Sequence, residues 1–328
     1  MPRLLPGILA ACAIAIPSWF AGKLAPIIGG PIFAILAGML LSYIKRPASY
    51  AKGIDFSGKK ILQYSIIFLG FSLDLGAVAK AGMDSIGVMV FTLTAAFLTA
   101  FLVGKLLKID SKVKILIGVG TAICGGSAIA ATAPVIDASE DDIAFSISTI
   151  FMFNIIAVFV FPALGRLLQL GQTDFGLWAG TAINDTSSVV AAAFSYGDEA
   201  GRYATVVKLT RTLMIIPITL VLAILRVREE RKNGSHTALK PRLARIFPWF
   251  ILGFLAASFV GSIGLLPAGA DSSLTQAGKF GICMAMAAIG LKSNPLSLIK
   301  NGIKPVFLGL ACWIAVASTA LIVMSLQS

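Results

Sequence analysis

Residues 120–136 read GTAICGGSAIAATAPVI, and residues 180–196 read GTAINDTSSVVAAAFSY. Both open on Gly-Thr-Ala-Ile and both are apolar toward their ends. Both are also interrupted at the centre, by Cys124-Gly125-Gly126-Ser127 in one and by Asn184-Asp185-Thr186-Ser187-Ser188 in the other. Glycine destabilises a helix through its backbone entropy, and short polar side chains offer hydrogen bonds that compete with the helical ones. Each stretch is therefore expected to be a helix broken near its middle. What the break means depends on the solvent around it.

That solvent is a lipid bilayer. Of 328 residues, 57% are hydrophobic and 13% charged, respectively above and below soluble averages. One crossing takes about 20 apolar residues, and only helices or closed barrels satisfy their backbone in hydrocarbon. Barrel strands alternate with a period of two, which these continuous runs do not. Apolar runs near 4–20, 25–45, 58–80, 84–107, 112–138, 141–168, 174–197, 199–226, 247–267, 274–292 and 303–326 predict an all-α fold. It is a polytopic membrane helical bundle of about eleven hydrophobic segments, in a single transmembrane domain over 1–328.

The net charge of +12 is carried largely by short segments at 45–60, 105–114, 227–246 and 292–304. Loops on the cytoplasmic side carry such an excess. These four are expected there, 227–246 as a basic cytoplasmic loop, with the N-terminus cytoplasmic and the C-terminus outside. The acidic turn DASEDD at 137–142 and the Gly-rich 261–273 lack the excess. Topology thus accounts for the charge, and nucleic acid is not an expected partner. Residues 13–15 imitate a signal-peptidase site, but the first apolar segment of a multispanning chain is expected to be retained. Cys12, Cys124, Cys283 and Cys312 have no paired spacing, and the only histidine, His236, falls in a basic loop. Neither a disulfide framework nor a metal or other cofactor is expected.

Two internal repeats follow. GKKILQYSIIFLGFSLDLGAVAKAG (58–82) aligns without a gap to GKFGICMAMAAIGLKSNPLSLIKNG (278–302), and by loop charge the copies cross in opposite directions. That is the pattern of an inverted-topology repeat. The second pair is the opening one, 120–136 repeated as 180–196. Each of its members either spans once with an unwound middle or dips in and returns as a re-entrant hairpin. Two hairpins would enter from opposite faces.

Non-helical backbone at membrane depth survives only inside protein or along a wet cavity. Half-helices starting near Ser127 and Ser187 would direct free N–H groups and a positive dipole end at the midplane, an anion site that needs no charged side chain. Thr121, Ser127, Thr181, Thr186, Ser187 and Ser188 add hydroxyls, Asn184 adds an amide, and Cys124, Gly125 and Gly126 shape the first break. Lys208 and Arg211, three residues apart and mid-segment, share a helix face. Intramembrane ionisable groups are functional candidates by default. Either Asp185 pairs with one of these cations to hold the bundle, or the surplus positive charge faces an anionic substrate. Trp178, Trp249 and Tyr203 are expected as interface anchors.

The two broken motifs, with GLWAGTAINDTSSVVAAAFSYG and VVKLTRTLMIIP, resemble the YeiH-like family of bacterial membrane proteins, commonly labelled sulfate exporters. The resemblance covers nearly the whole chain and implies a bacterial inner-membrane transporter that exports an anion, possible sulfate among the substrates. FLGFSLDLGAV (68–78) also looks like the helix ends of cation/proton antiporters and bile-acid-type carriers, whose inverted repeats cross at broken helices. The expected function is secondary transport of a small inorganic or sulfur-containing anion, with an anion channel as the alternative. A proton or sodium ion is a candidate coupling partner through Asp185, and homo-oligomerisation is left open. No enzyme is expected, since the Ser127 hydroxyl has no intramembrane His as base and there is no metal-binding helix motif or pair of aspartates; without an ATP-binding loop, primary pumping by this chain alone is not expected either.

Overall fold

A computed structural model describes residues 4–25, 29–44, 46–232, 249–267, 269–292 and 303–327. Positions 233–246 of the basic loop, His236 among them, and positions 293–302 of the second repeat copy lie outside the described residues. Every described element is helical. In chain order these are α1 (Leu5–Leu24), α2 (Gly30–Leu41), a 3-10 turn (Ala48–Tyr50), α3 (Ala51–Phe56), a π-helical turn (Ser57–Ile61) and α4 (Leu62–Gly70). Then come α5 (Leu75–Leu106), α6 (Ser111–Ala122), α7 (Gly126–Thr132), α8 (Glu140–Leu167), α9 (Gln172–Ala182), α10 (Thr186–Tyr196), α11 (Asp198–Leu213) and α12 (Ile215–Lys232). We number the last three α13 (Phe250–Ser262), α14 (Ala270–Lys292) and α15 (Ile303–Gln327).

Among the described residues, six stretches are long and apolar enough to cross a membrane: Leu5–Leu24, Leu75–Leu106, Asp141–Leu167, Asp198–Leu222, Ala270–Lys292 and Ile303–Gln327. With the helical content, this makes the chain a multi-pass helical membrane protein. One boundary differs from the apolar reading, which ends a segment near 80. The helix breaks at 71–74 instead, where Asp74 caps α5 by accepting from the Ala77 N–H at 2.9 Å. Phe71 and Leu73 are apolar, so hydropathy runs straight through a turn that the cap dictates.

The two broken segments are re-entrant hairpins. In the first, the Lys112 ammonium at the start of α6 donates to the Asp137 carbonyl beyond α7, at 2.5 Å. The acidic turn at 137–142 therefore sits at the same end as the basic 105–114 loop. In the second, the Gln172 amide oxygen at the start of α9 accepts from the Glu199 N–H beyond α10 at 3.1 Å, and Phe175 stacks on Tyr196 with centroids 3.8 Å apart. An unbroken helical crossing of either segment would separate those residues by roughly 38–40 Å. Helix α8 joins the two hairpins and gives their sense. It starts at the mouth of the first, and at its far end Arg166 donates to the Ser195 carbonyl of the second at 3.0 Å. With about 42 Å of helix between the mouths, the hairpins enter from opposite ends.

Helices α5 and α15 pack on each other and on the hairpins, and a further group of helices forms a layer against this core. Helices α1 to α4, α13 and α14 pack on one another, and α10 and α11 meet them along one side. At one end Arg46 donates to the Leu291 carbonyl at 2.9 Å and Lys292 pairs with Asp55. At the other, Lys279 pairs with Asp198 at 2.6 Å. Within the layer α4 and α14 run antiparallel: Gly58 faces Ile289, and Gly278 faces Leu69.

Candidate functional site

Each arm of the second hairpin is 11 residues long, about 16 Å or half the hydrocarbon thickness. The hairpin tips meet beside the middle of α8. There the Asn154 amide oxygen accepts from the Asp185 N–H at 3.1 Å. A β-carbon placed on Gly125 would lie 3.4 Å from Asp185 Cβ and 3.6 Å from Asn154 Nδ2. Gly125 has φ +70° and ψ −131°, backbone that L side chains rarely adopt. Its N–H closes the first tip by donating to the Gly120 carbonyl at 2.9 Å.

Lys208 binds both tips. Its ammonium donates to the Ile123 carbonyl at 2.9 Å and to the Ile183 carbonyl at 2.8 Å. Those residues end α6 and α9, and they occupy the same position in the two aligned motifs. One turn on, Arg211 donates through Nε to the Ala122 carbonyl at 2.5 Å and through Nη2 to the Thr121 carbonyl at 2.8 Å. Both cations are 0% exposed. A helix C-terminus carries roughly half a negative charge, so two such ends offset much of what the side-chain count left as surplus. The sequence could not weigh this, because the acceptors are backbone.

Asp185 turns to a different task. It caps α10, its carboxylate accepting from the Ser187 N–H at 2.9 Å and from the Ser187 hydroxyl. Among the described residues it forms no ion pair with Lys208 or Arg211. The positions singled out from the sequence then divide by exposure. Gly126, Ser127, Asp185 and Thr186 reach open space at the tips, with no atom within 4 Å of a β-carbon on Gly126. Thr121, Cys124, Gly125, Thr181, Asn184, Ser187 and Ser188 are buried behind them. Thr181 spends its hydroxyl on the Leu177 carbonyl at 2.7 Å. The Thr121 hydroxyl, both polar atoms of the Asn184 amide, and Arg211 Nη1 are buried without a hydrogen-bond partner. Such groups are few in native proteins and cost about 1–3 kcal/mol each when left unpaired. Of the ten such atoms among the described residues, these four lie together at the tips.

Asn154 was not among the sequence candidates, although its signal was there: one amide within FMFNIIAVFVF, deep in a long apolar helix. Trp178 corrects an expectation. It is no interface anchor but 2% exposed, its ring tilted against Phe161 with centroids 4.3 Å apart and its N–H donating to the Ala317 carbonyl at 3.0 Å. Because α9 is a hairpin arm rather than a crossing, its middle faces protein. Trp249 is 62% exposed, as an anchor would be. Among the described residues no cluster of His, Cys, Asp and Glu could hold a metal ion.

Comparison with known proteins identifies the chain's relatives. The family model described as Conserved hypothetical protein 698 matches residues 6–309. A UPF0324 membrane protein of Streptococcus pyogenes serotype M6 is 46% identical, covering 97% of this chain and 96% of its own length. One from Fusobacterium nucleatum is 42% identical over 97% and 96%, and one from Streptococcus mutans serotype c is 44% identical over 97% and 95%. The chain belongs to this family of membrane proteins, the one its broken-helix motifs resemble. A solved structure of the sodium proton antiporter MjNhaP1 from Methanocaldococcus jannaschii aligns over 98% of this chain and 96% of that one. Its identity is 14% and its TM-score 0.30, too loose a likeness to carry an argument.

Proposed function

We propose that this membrane protein is a secondary transporter of a small inorganic or sulfur-containing anion, sulfate among the candidates, bound at mid-depth between the hairpin tips. The observation that carries this reading is the set of unpartnered polar groups sealed behind the tips. Selectivity for an anion comes from the donors left over: Arg211 Nη1, the Asn184 amide N–H groups and the third hydrogen of the Lys208 ammonium, two of whose three are engaged. The Ser127 and Thr186 hydroxyls line the approach. Asp185 repels an anion unless it is protonated or beside a cation, which makes it the candidate for coupling to a proton or sodium ion. Full enclosure of Lys208 and Arg211 favours a carrier over an open pore.

The chain sits in the bacterial inner membrane with its basic loops and N-terminus cytoplasmic. Export then runs downhill, since a divalent anion leaving a negative-inside cell gains roughly 4–5 kcal/mol per 100 mV. Flux of labelled sulfate, sulfite, thiosulfate and organic sulfonates into proteoliposomes tests the reading. A carrier gives saturable flux with counterflow, reduced when Arg211→Gln removes the spare donor. Unsaturable flux without counterflow makes it a channel, and flux that survives neutralisation of both Lys208 and Arg211 removes the basic pair from the mechanism. Asp185→Asn abolishes the pH or sodium dependence if that carboxylate couples; unchanged dependence excludes it.

A further inference from the structure

We propose that the molecule carries a second, shallower oxyanion site at the end of the bundle opposite the Lys292–Asp55 pair. A cavity of about 290 Å³ opens there, its lining including Trp19, Lys23, Gly29, Asp198, Gln276 and Lys279. The volume lies near the lower end for small-ligand sites. The cavity is separate from the tips: Asp198 precedes Lys208 by ten residues of α11, about 15 Å.

Its chemistry is that of an anion receptor. Two ammonium groups face one carboxylate, and the chain enters α2 through Gly29 and Gly30, which also line the cavity. Lys23 lies 5.4 Å from the Trp19 ring centroid and has no carboxylate partner among the described residues. Lys279 is held at 2.6 Å by Asp198, with side-chain exposures of 26% and 58%, and lies 5.8 Å from the Phe194 centroid. The aromatic faces keep both ammonium groups beside the opening without neutralising them. Asp198 thus acts as an internal occupant. An arriving sulfate- or phosphate-type group displaces it from Lys279 and draws in Lys23, and the donors are the same whether that group is a free ion or a lipid headgroup.

This site does not depend on what the tips bind, and equilibrium binding tests it without flux. The full chain in phosphatidylcholine nanodiscs is titrated with inorganic sulfate, reading the fluorescence change that disappears in Trp19→Phe. Lys279→Gln weakens that response about fivefold, the scale of one partly exposed charge contact. Asp198→Asn strengthens it by a similar factor, because the competing carboxylate is gone. A residue with only a structural role does not give opposite signs at the two ends of one ion pair. If the free ion is the ligand, the response persists in phosphatidylglycerol nanodiscs. If a headgroup is the ligand, phosphatidylglycerol suppresses it, and the lipid that co-purifies is lost from Lys23→Gln with Lys279→Gln. No Trp19-dependent response together with no lipid loss, or shifts of the same sign in the two single variants, overturns the proposal.

Discussion

At the scale of residues, Lys208 holds the tips together through backbone and not through a countercharge. Replacing it by Met strands the Ile123 and Ile183 carbonyls in a buried site, at about 1–3 kcal/mol each. Lys208→Met is therefore expected to destabilise by at least about 2 kcal/mol, read as a lowered thermal midpoint in detergent, with Lys208→Arg milder because it keeps a charged donor. An unchanged midpoint for the Met variant would mean the tips are held by other contacts. The adjacent glycines provide a sharper contrast. Gly125→Ala forces an L side chain into φ +70° and should cost roughly 1–3 kcal/mol. Gly126→Ala places its methyl in open space and should shift stability by less than about 0.5 kcal/mol. Equal effects at the two positions would contradict this tip conformation.

At the scale of elements, the sequence made the breaks legible but left the path of the chain through them open. Gly125-Gly126 and Asn184-Asp185 mark where helix ends, because their backbone and side-chain chemistry acts locally. Whether the chain then continues or turns back depends on contacts such as Lys112 with Asp137 and Gln172 with Glu199, which hydropathy does not register. The candidate site was legible to a similar depth. Lys208 and Arg211 stood out as charges in apolar helix, but their carbonyl partners emerge only once both hairpins are folded, and Asn154 gained meaning from the Asp185 N–H it receives. Labelling tests the hairpins directly. In a variant lacking the four native cysteines, single cysteines at Lys112 and Asp137 should react with an impermeant maleimide from the same face, and those at Gln172 and Glu199 from the other. Labelling of Lys112 and Asp137 positions from opposite faces would make the first segment a crossing.

At the scale of the molecule, alternating access requires some packed boundary to open, and the two layers offer one. Helices α1 to α4, α13 and α14 form a single packed unit, tied internally by Arg46 to Leu291 and Lys292 to Asp55. The hairpin core meets that unit along α10 and α11, where a β-carbon on Gly29 would lie 2.9 Å from Ser195 Cβ and Lys279 reaches Asp198. The internal ties are expected to persist through a transport cycle, whereas the Lys279–Asp198 contact joins parts that must separate. Two paired-cysteine variants discriminate between these boundaries, each joined by a short reducible bifunctional thiol reagent. Bridging Asp55→Cys to Lys292→Cys should leave sulfate flux unchanged, because both ends move together. Bridging Asp198→Cys to Lys279→Cys should stop flux, and reduction of the linker should restore it. Transport that continues with the second bridge intact would place the moving boundary elsewhere and leave the outer layer as passive support for the hairpins.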